Sequence, residues 1–307
     1  MILALLGPTA SGKTELACQL AQHLPLEAIS CDSMQVYKHM RVLSQSPTPK
    51  QKQKLVHHLV DFVEPEEEYN VARHIDLCYD ALEEIEKKEN LPLLIAGTGL
   101  YYTFLIEGIF EGPGENSEFR ESLYEEALER GSEFIHHKLR DLDPQAAMDI
   151  HPNDTKRIIR ALEVIYITEK KFSELKRERE GLKDQAEILS FGLSLERPLL
   201  YDRINARVDQ MFEEGIIEEV QLLLKRRLSK TAKSCLGISE IQSYLEGKIT
   251  LPQAKERIKQ TTRQFAKRQL TWFRRDKNIQ WIKIDATTDM SKLAKNLADL
   301  IKSMNKN

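Results

Sequence analysis

The sequence predicts an α/β fold: a parallel sheet flanked by helices, interrupted by an all-helical insertion. Three observations predict it. Short apolar runs alternate with helical patterns early in the chain. A glycine-rich turn joins the first run to the first helical pattern. The texture then turns polar and helix-prone after residue 112, and an apolar run returns only at residue 188. At 307 residues the chain is long enough for two domains. The expected division is 1–112 for the first part of the sheet domain, 113–185 for the insertion and 186–307 for the second part.

The elements follow in order. Residues 2–6 are apolar and end at Gly7-Pro8, the pattern of a central parallel strand. Residues 13–23 carry Leu16, Ala17, Leu20 and Ala21 at helical spacing. Ala28-Ile29-Ser30 is a second strand, ending just before Asp32. Residues 71–89 present Ala72, Ile75, Leu82 and Ile85 on one helical face. Residues 92–96 form a strand stopped by Gly97-Thr98-Gly99. Gly112-Pro113-Gly114 punctuates the entry to the insertion. After residue 188 come a strand, helices over about 198–228, 234–247 and 252–276, a strand at 279–282 and a C-terminal helix.

Composition removes several classes. No apolar run reaches the roughly 18 residues of a membrane span, so no membrane partner is expected. Met1–Leu6 reads as a buried strand and not as a leader, which predicts a cytoplasmic protein. Cys18, Cys31, Cys78 and Cys235 show no metal-finger spacing, so free thiols and no Cys/His metal cage are expected. The formal net charge of −3 hides opposed segments. Residues 251–285 hold ten bases against three acids, and residues 61–89 hold eleven acids against three bases. A localised positive face therefore survives in a nearly neutral chain.

Gly7-Pro8-Thr9-Ala10-Ser11-Gly12-Lys13-Thr14 matches the phosphate-loop pattern G-x-x-x-x-G-K-[ST]. The glycines let backbone N–H groups turn toward a phosphate, and the following helix adds its positive N-terminus. Lys13 supplies a point charge and the Thr14 hydroxyl suits Mg²⁺. A chain this long carries the pattern by chance on the order of 1% of the time. The motif does not choose the reaction. The strand at 92–96 ends in glycine and threonine, without the acid that nucleotide hydrolases place there. Asp32, at the carboxyl end of another strand, stands where ligands lie in such sheets. It is open as a Mg²⁺ ligand, a general base or a helix N-cap.

Six ordered blocks resemble one family. They are Gly7–Thr14, Asp32–Tyr37 (DSMQVY), Gly97–Tyr101 (GTGLY), Asn153–Val164 (NDxxRxxRALEV), Leu200–Met211 and Lys267–Arg274 (KRQLTWFR). Together they resemble the tRNA dimethylallyltransferases, over residues 2 to about 282. The resemblance implies a P-loop NTPase-like sheet that moves a dimethylallyl group from dimethylallyl diphosphate to N6 of adenosine 37 in tRNA, assisted by Mg²⁺. It implies Asp32 as general base and Thr9 as a second catalytic residue. It makes Gly7–Thr14, with Arg203 and Arg207, the diphosphate cradle. Asp32, Ser33, Met34, Gln35 and Thr98 would contact tRNA, as would Arg120 and the stretch Lys156, Arg157, Ile158, Ile159 and Arg160. The insertion would grip the anticodon stem-loop. The expected state is a monomer with no obligatory protein partner, and the expected occupant of the loop is the prenyl diphosphate and not ATP.

Two departures stand out. Ala96 precedes Gly97 where the family commonly has glycine, and Cys235–Glu240 carries Ile238 and Ser239 where an aromatic and a lysine are usual. No RNA role is assigned to that segment. On residues alone, Lys259, Arg263, Lys267 and Arg274 fit an ordinary amphipathic helix, with Ile258, Phe265 and Trp272 as its apolar stripe. Two other functions use the same loop: a small-molecule kinase, and an RNA-binding protein with a vestigial loop.

Overall fold

The computed structural model describes residues 1–109, 112 and 114–304. Pro113, in the middle of the expected punctuation, lies outside the described residues. The chain forms two compact units, Met1–Leu105 with Gln185–Asn307, and Ile106–Asp184.

The first unit is built on six strands: β1 (Ile2–Leu6), β2 (Leu26–Cys31), β3 (Val56–His58), β4 (Leu91–Ala96), β5 (Ile188–Leu195) and β6 (Gln280–Ile284). They form one sheet in the order β3-β2-β4-β1-β5-β6, and every neighbouring pair is parallel. β1 lies between β4 and β5, with Leu5 opposite Ile95 and Phe191. All of its residues are buried, as a strand covered on both faces by helices requires. The sheet is the predicted one with one strand added. β3 spans three residues, two of them histidines, at the sheet edge; so short and polar a run carries no readable alternation.

Leu3, Leu5, Leu93 and Phe191 pack against Leu16, Leu200, Ile204 and Leu297 from the surrounding helices. Truncating one such leucine to alanine costs about 2–5 kcal/mol. A second apolar cluster joins Tyr37 and Met40 to Ile216, Ile238 and Ile258. The long helix Leu251–Phe273 starts in a capping box formed by Thr250 and Gln253. Its basic face is partly neutralised: Lys259 pairs with Asp209 at 2.7 Å and Arg263 with Glu256 at 2.8 Å. Lys267 and Arg274 stay exposed, and Phe265 and Trp272 are only half-buried.

Helices leave the sheet edge where the strands end. The helix Val71–Lys87, capped by the Asn70 side chain, packs over β2 and β4. It also brings a cysteine and a histidine to another cysteine that lies far from them in the sequence. Cys31, the last residue of β2, meets His74 and Cys78 of that helix, and their ligating atoms all lie within 4.8 Å of one another. Spacing along the chain could not reveal a group split between two elements.

The second unit is helical among its described residues. The helices Ser117–Arg130, Ser132–Leu142 and Thr155–Thr168 bury Leu123, Ile135, Leu139 and Leu162 between them. Asn116 and Asp154 cap the first and third of these through their side chains. Asp143 caps a shorter helix by accepting from Ala146 N, and also accepts from Ser173 N and Oγ. The unit begins at Ile106 and ends at Asp184, against the expected 113 and 185. The reason is a close crossing of two backbones. A Cβ on Gly108 would stand 2.3 Å from the Glu180 carbonyl oxygen, and one on Gly181 would stand 2.3 Å from Gly108 N. Only glycine permits that approach. Among the described residues, no helix is long and apolar enough to cross a membrane.

Candidate active site

The carboxyl ends of β1, β2 and β4 open onto one cavity of about 790 Å³, a size typical of small-ligand sites. The loop after β1 is the phosphate loop. Gly7 and Gly12 hold φ of 145° and 97°, conformations that L side chains rarely adopt. Thr9–Thr14 line the cavity. Gly7 and Pro8 are buried behind it, and their carbonyls accept hydrogen bonds from Lys13 Nζ at 2.9 and 2.8 Å. The helix Lys13–Leu20 follows, with its N-terminal N–H groups at the cavity wall.

Electrostatics favour an anion. Lys13, Arg203 and Arg207 line the cavity beside Asp32. Burial and the neighbouring Arg207 push Lys13 down to about 7, while Asp32 pulls the other way. Burial likewise lowers Arg207 to about 10, against the attraction of Asp32. Crowded, partly desolvated cations of this kind bind an anion that restores their charge balance. Ser11 Oγ is buried without a hydrogen-bond partner in the loop, a donor that a phosphate oxygen would satisfy.

Asp32 follows β2 directly. Its Oδ1 accepts from Met34 N at 2.9 Å, so the carboxylate fixes its own turn. Its Oδ2 lies beside Gly97, where an added Cβ would stand 3.0 Å away. Thr98 ties the turn down: its Oγ1 accepts from Ser33 N at 3.3 Å, and its own N–H donates to Cys31 O. Gln35 donates to Gln45 O, and Ser30 Oγ donates to Gln35 Oε1 at 2.8 Å. Met34 lines the cavity as well. Thr9 is held by Arg207, whose Nη1 donates to Thr9 Oγ1 at 3.1 Å and whose Nε donates to Gln45 Oε1. The diphosphate-cradle and Asp32-turn residues read from the sequence thus meet in one place.

Sequence reasoning missed Gln269. It is buried, accepts from Thr9 N at 2.9 Å and donates to Gly97 O at 2.7 Å. This strut fixes the phosphate loop to the end of β4. The signal was present but unread: Ala266, Gln269 and Phe273 share one buried helical stripe, and an amide in such a stripe needs partners.

The remaining expected contacts lie in the helical unit. Lys156 and Arg157 are exposed. Arg157 pairs with Asp154 at 3.4 Å. Arg120 grips Glu163 with two hydrogen bonds of 2.8 Å, and Arg160 binds the same carboxylate. Burial alone would raise Glu163; Arg120, Asn116 N and Arg160 overcome it and hold the group below the ordinary glutamate value. Arg120 and Arg160 therefore have a structural partner already. The structure places Ile158 and Ile159 in the core of the unit, 0% and 1% exposed, and not on an exposed face as the expected RNA contact needs.

Thr14 and Asp32 both carry oxygen donors and both line this cavity. With diphosphate oxygens they suit Mg²⁺, which keeps few protein ligands in phosphate sites.

The IPP transferase family matches residues 35–276 and the isopentenyl transferase family matches residues 1–61. A tRNA dimethylallyltransferase of Acetivibrio thermocellus is 42% identical over 299 residues, covering 96% of each chain. One from Carboxydothermus hydrogenoformans is 44% identical over 282 residues, covering 91% of each. The solved tRNA isopentenylpyrophosphate transferase of Bacillus halodurans superposes with a TM-score of 0.69 at 36% identity, covering 99% of this chain and 98% of that one. A eukaryotic dimethylallyltransferase solved acting on tRNA gives 0.78 at 28% identity, covering 98% of this chain and 77% of that one. Matched across nearly its whole length, the chain belongs to the IPP transferase family, whose curated relatives are tRNA dimethylallyltransferases.

Proposed function

We propose that this chain transfers the dimethylallyl group of dimethylallyl diphosphate to N6 of an adenosine, at position 37 of a tRNA anticodon loop. The observation that carries the reading is the single cavity shared by the cationic phosphate loop and the Asp32 carboxylate. In this reading the N6 nitrogen attacks C1 of the dimethylallyl group. The C1–O bond breaks, diphosphate leaves, and the N6 proton passes to Asp32.

Each part of the cavity has a task. Lys13, Arg203, Arg207 and the N–H groups of the loop hold the diphosphate and offset charge that grows as it leaves. Thr14 would hold Mg²⁺, and the ion would supply Lewis-acid stabilisation of the leaving group. Val208, Met211, Cys235 and Ile258 also line the cavity and give the dimethylallyl tail an apolar wall. Thr9, oriented by Arg207, acts beside the diphosphate cradle in this reading. Ser33, Met34, Gln35 and Thr98 position the base next to Asp32. An exocyclic amine is a weak nucleophile, so positioning and proton removal both matter.

The target base has to leave its stack to enter such a cavity, at a cost of a few kcal/mol. Lys156 and Arg157 on the helical unit, with Lys267, Arg268, Arg274 and Arg275 on the sheet unit, are exposed cations for the RNA backbone. The protein acts as a cytoplasmic monomer in this reading.

The test is direct. The full chain is incubated with dimethylallyl diphosphate, Mg²⁺ and an unmodified anticodon stem-loop carrying adenosine 37, and the RNA is weighed. The expected result is a gain of one dimethylallyl group on that adenosine. ATP turnover with no gain in RNA mass would overturn the proposal in favour of a kinase.

A further inference from the structure

From the group that Cys31, His74 and Cys78 form behind the sheet edge, we infer a second metal site, distinct from the phosphate loop and built for a zinc-class divalent cation. The donors come from two elements. Cys31 ends β2, and His74 and Cys78 sit one turn apart on the same face of the helix Val71–Lys87. All three side chains are fully buried. Each offers one ligating atom, and these atoms lie within 4.8 Å of one another. None of the three lines the active-site cavity, so the inference does not depend on the reaction.

Buried cysteines alone are ordinary small hydrophobes. The histidine is what points to a ligand. Its Nδ1 is 2.9 Å from the buried Tyr69 hydroxyl. Its Nε2 is buried with no hydrogen-bond partner. An imidazole oriented through one nitrogen by a buried hydroxyl, in a group with two cysteine sulfurs, is how proteins commonly hold a metal-binding histidine. The Tyr101 ring packs against the imidazole, centroids 4.7 Å apart, and fixes its plane.

Charge selects the ion. Once a metal displaces their protons, two cysteine sulfurs and a neutral imidazole carry two negative charges. A divalent ion cancels them, whereas Cu⁺ leaves one uncompensated. Two sulfurs and one imidazole also form a known zinc donor set with one position left over. Ligation would tie the end of β2, next to Asp32, to the helix packed over it.

So enclosed a site loads as the chain folds. The full chain is therefore produced in medium supplemented with Zn²⁺ or, separately, Co²⁺. Metal is counted per folded chain, and the Co²⁺ protein is examined for thiolate-to-metal charge-transfer absorption. One ion per chain is expected, with that absorption present; Mg²⁺-type oxygen ligands at Thr14 cannot produce it. Cys31→Ser and Cys78→Ser should each abolish it, and Cys18→Ser should retain it. Tyr69→Phe should weaken metal affinity by about 10–100-fold. The wild-type spectrum decides even where a variant misfolds. Absence of the charge-transfer band, metal content unchanged by both cysteine substitutions, or preferential retention of Cu⁺ would overturn the inference.

Discussion

The two units treat their signature residues in opposite ways. In the sheet unit, Thr9, Asp32 and Thr98 sit on loops at strand ends and Lys13 opens the helix after one, all half-buried and lining a cavity. In the helical unit, Arg120, Ile158, Ile159 and Arg160 are taken up by packing and by one buried carboxylate, Glu163. A recognisable block thus mixes two kinds of constraint. Loop residues on a rigid sheet are free to meet a ligand, whereas residues on a helix face mostly hold the helix in place. Family signatures in the second setting report the fold first.

The comparison can be broken at several points. Glu163→Gln leaves two half-buried arginines facing a neutral, buried amide, and should cost the helical unit about 1–3 kcal/mol. Thermal or denaturant unfolding would show it, while diphosphate affinity of the sheet unit stays unchanged. A parallel loss of diphosphate binding would mean the two units are not separable in this way.

Gln269→Ala strands Thr9 N and Gly97 O. It should cost about 1–3 kcal/mol, together with weaker diphosphate binding by calorimetry, because the phosphate loop loses its anchor.

Lys13 offers a pH signature. Its folded value of about 7 lies below its ordinary 10.5. Between those limits the unfolded chain holds a proton that the ligand-free folded chain does not. This group therefore makes stability rise as pH rises through that window. Diphosphate restores the charged form, so binding within the window should take up a proton. Calorimetry in buffers of different ionisation heat measures the uptake, and Lys13→Met should remove it.

The smallest effect concerns Arg157. Its exposed pair with Asp154 is worth at most about 1 kcal/mol, so Arg157→Ala should leave stability nearly unchanged. If it meets an RNA phosphate, the substitution weakens tRNA binding and lowers the salt dependence by close to one phosphate contact.

What was legible in the sequence follows the same division. The phosphate loop and Asp32 are local: their spacing, strand and helix stand next to each other in the chain, and the structure puts them in one cavity. Gln269 joins residues 9 and 97, and Cys31 joins residues 74 and 78. Neither juxtaposition has a linear signature. β3 was too short to read. Ile158 and Leu162, four residues apart and both apolar, already had the spacing of a buried helix face, yet the family block drew attention to RNA. The entry to the helical unit was misplaced because the polar texture begins after the chain has already crossed, at Gly108 and Gly181.

In the proposed reaction Asp32 removes the N6 proton while its neighbours bind the substrates. Single-turnover transfer by Asp32→Ala, with stem-loop and diphosphate affinities measured in parallel, tests it most directly. The predicted result is a rate lowered by at least about 100-fold with both ligands still bound. Transfer at a rate close to that of the unaltered protein would contradict the claim.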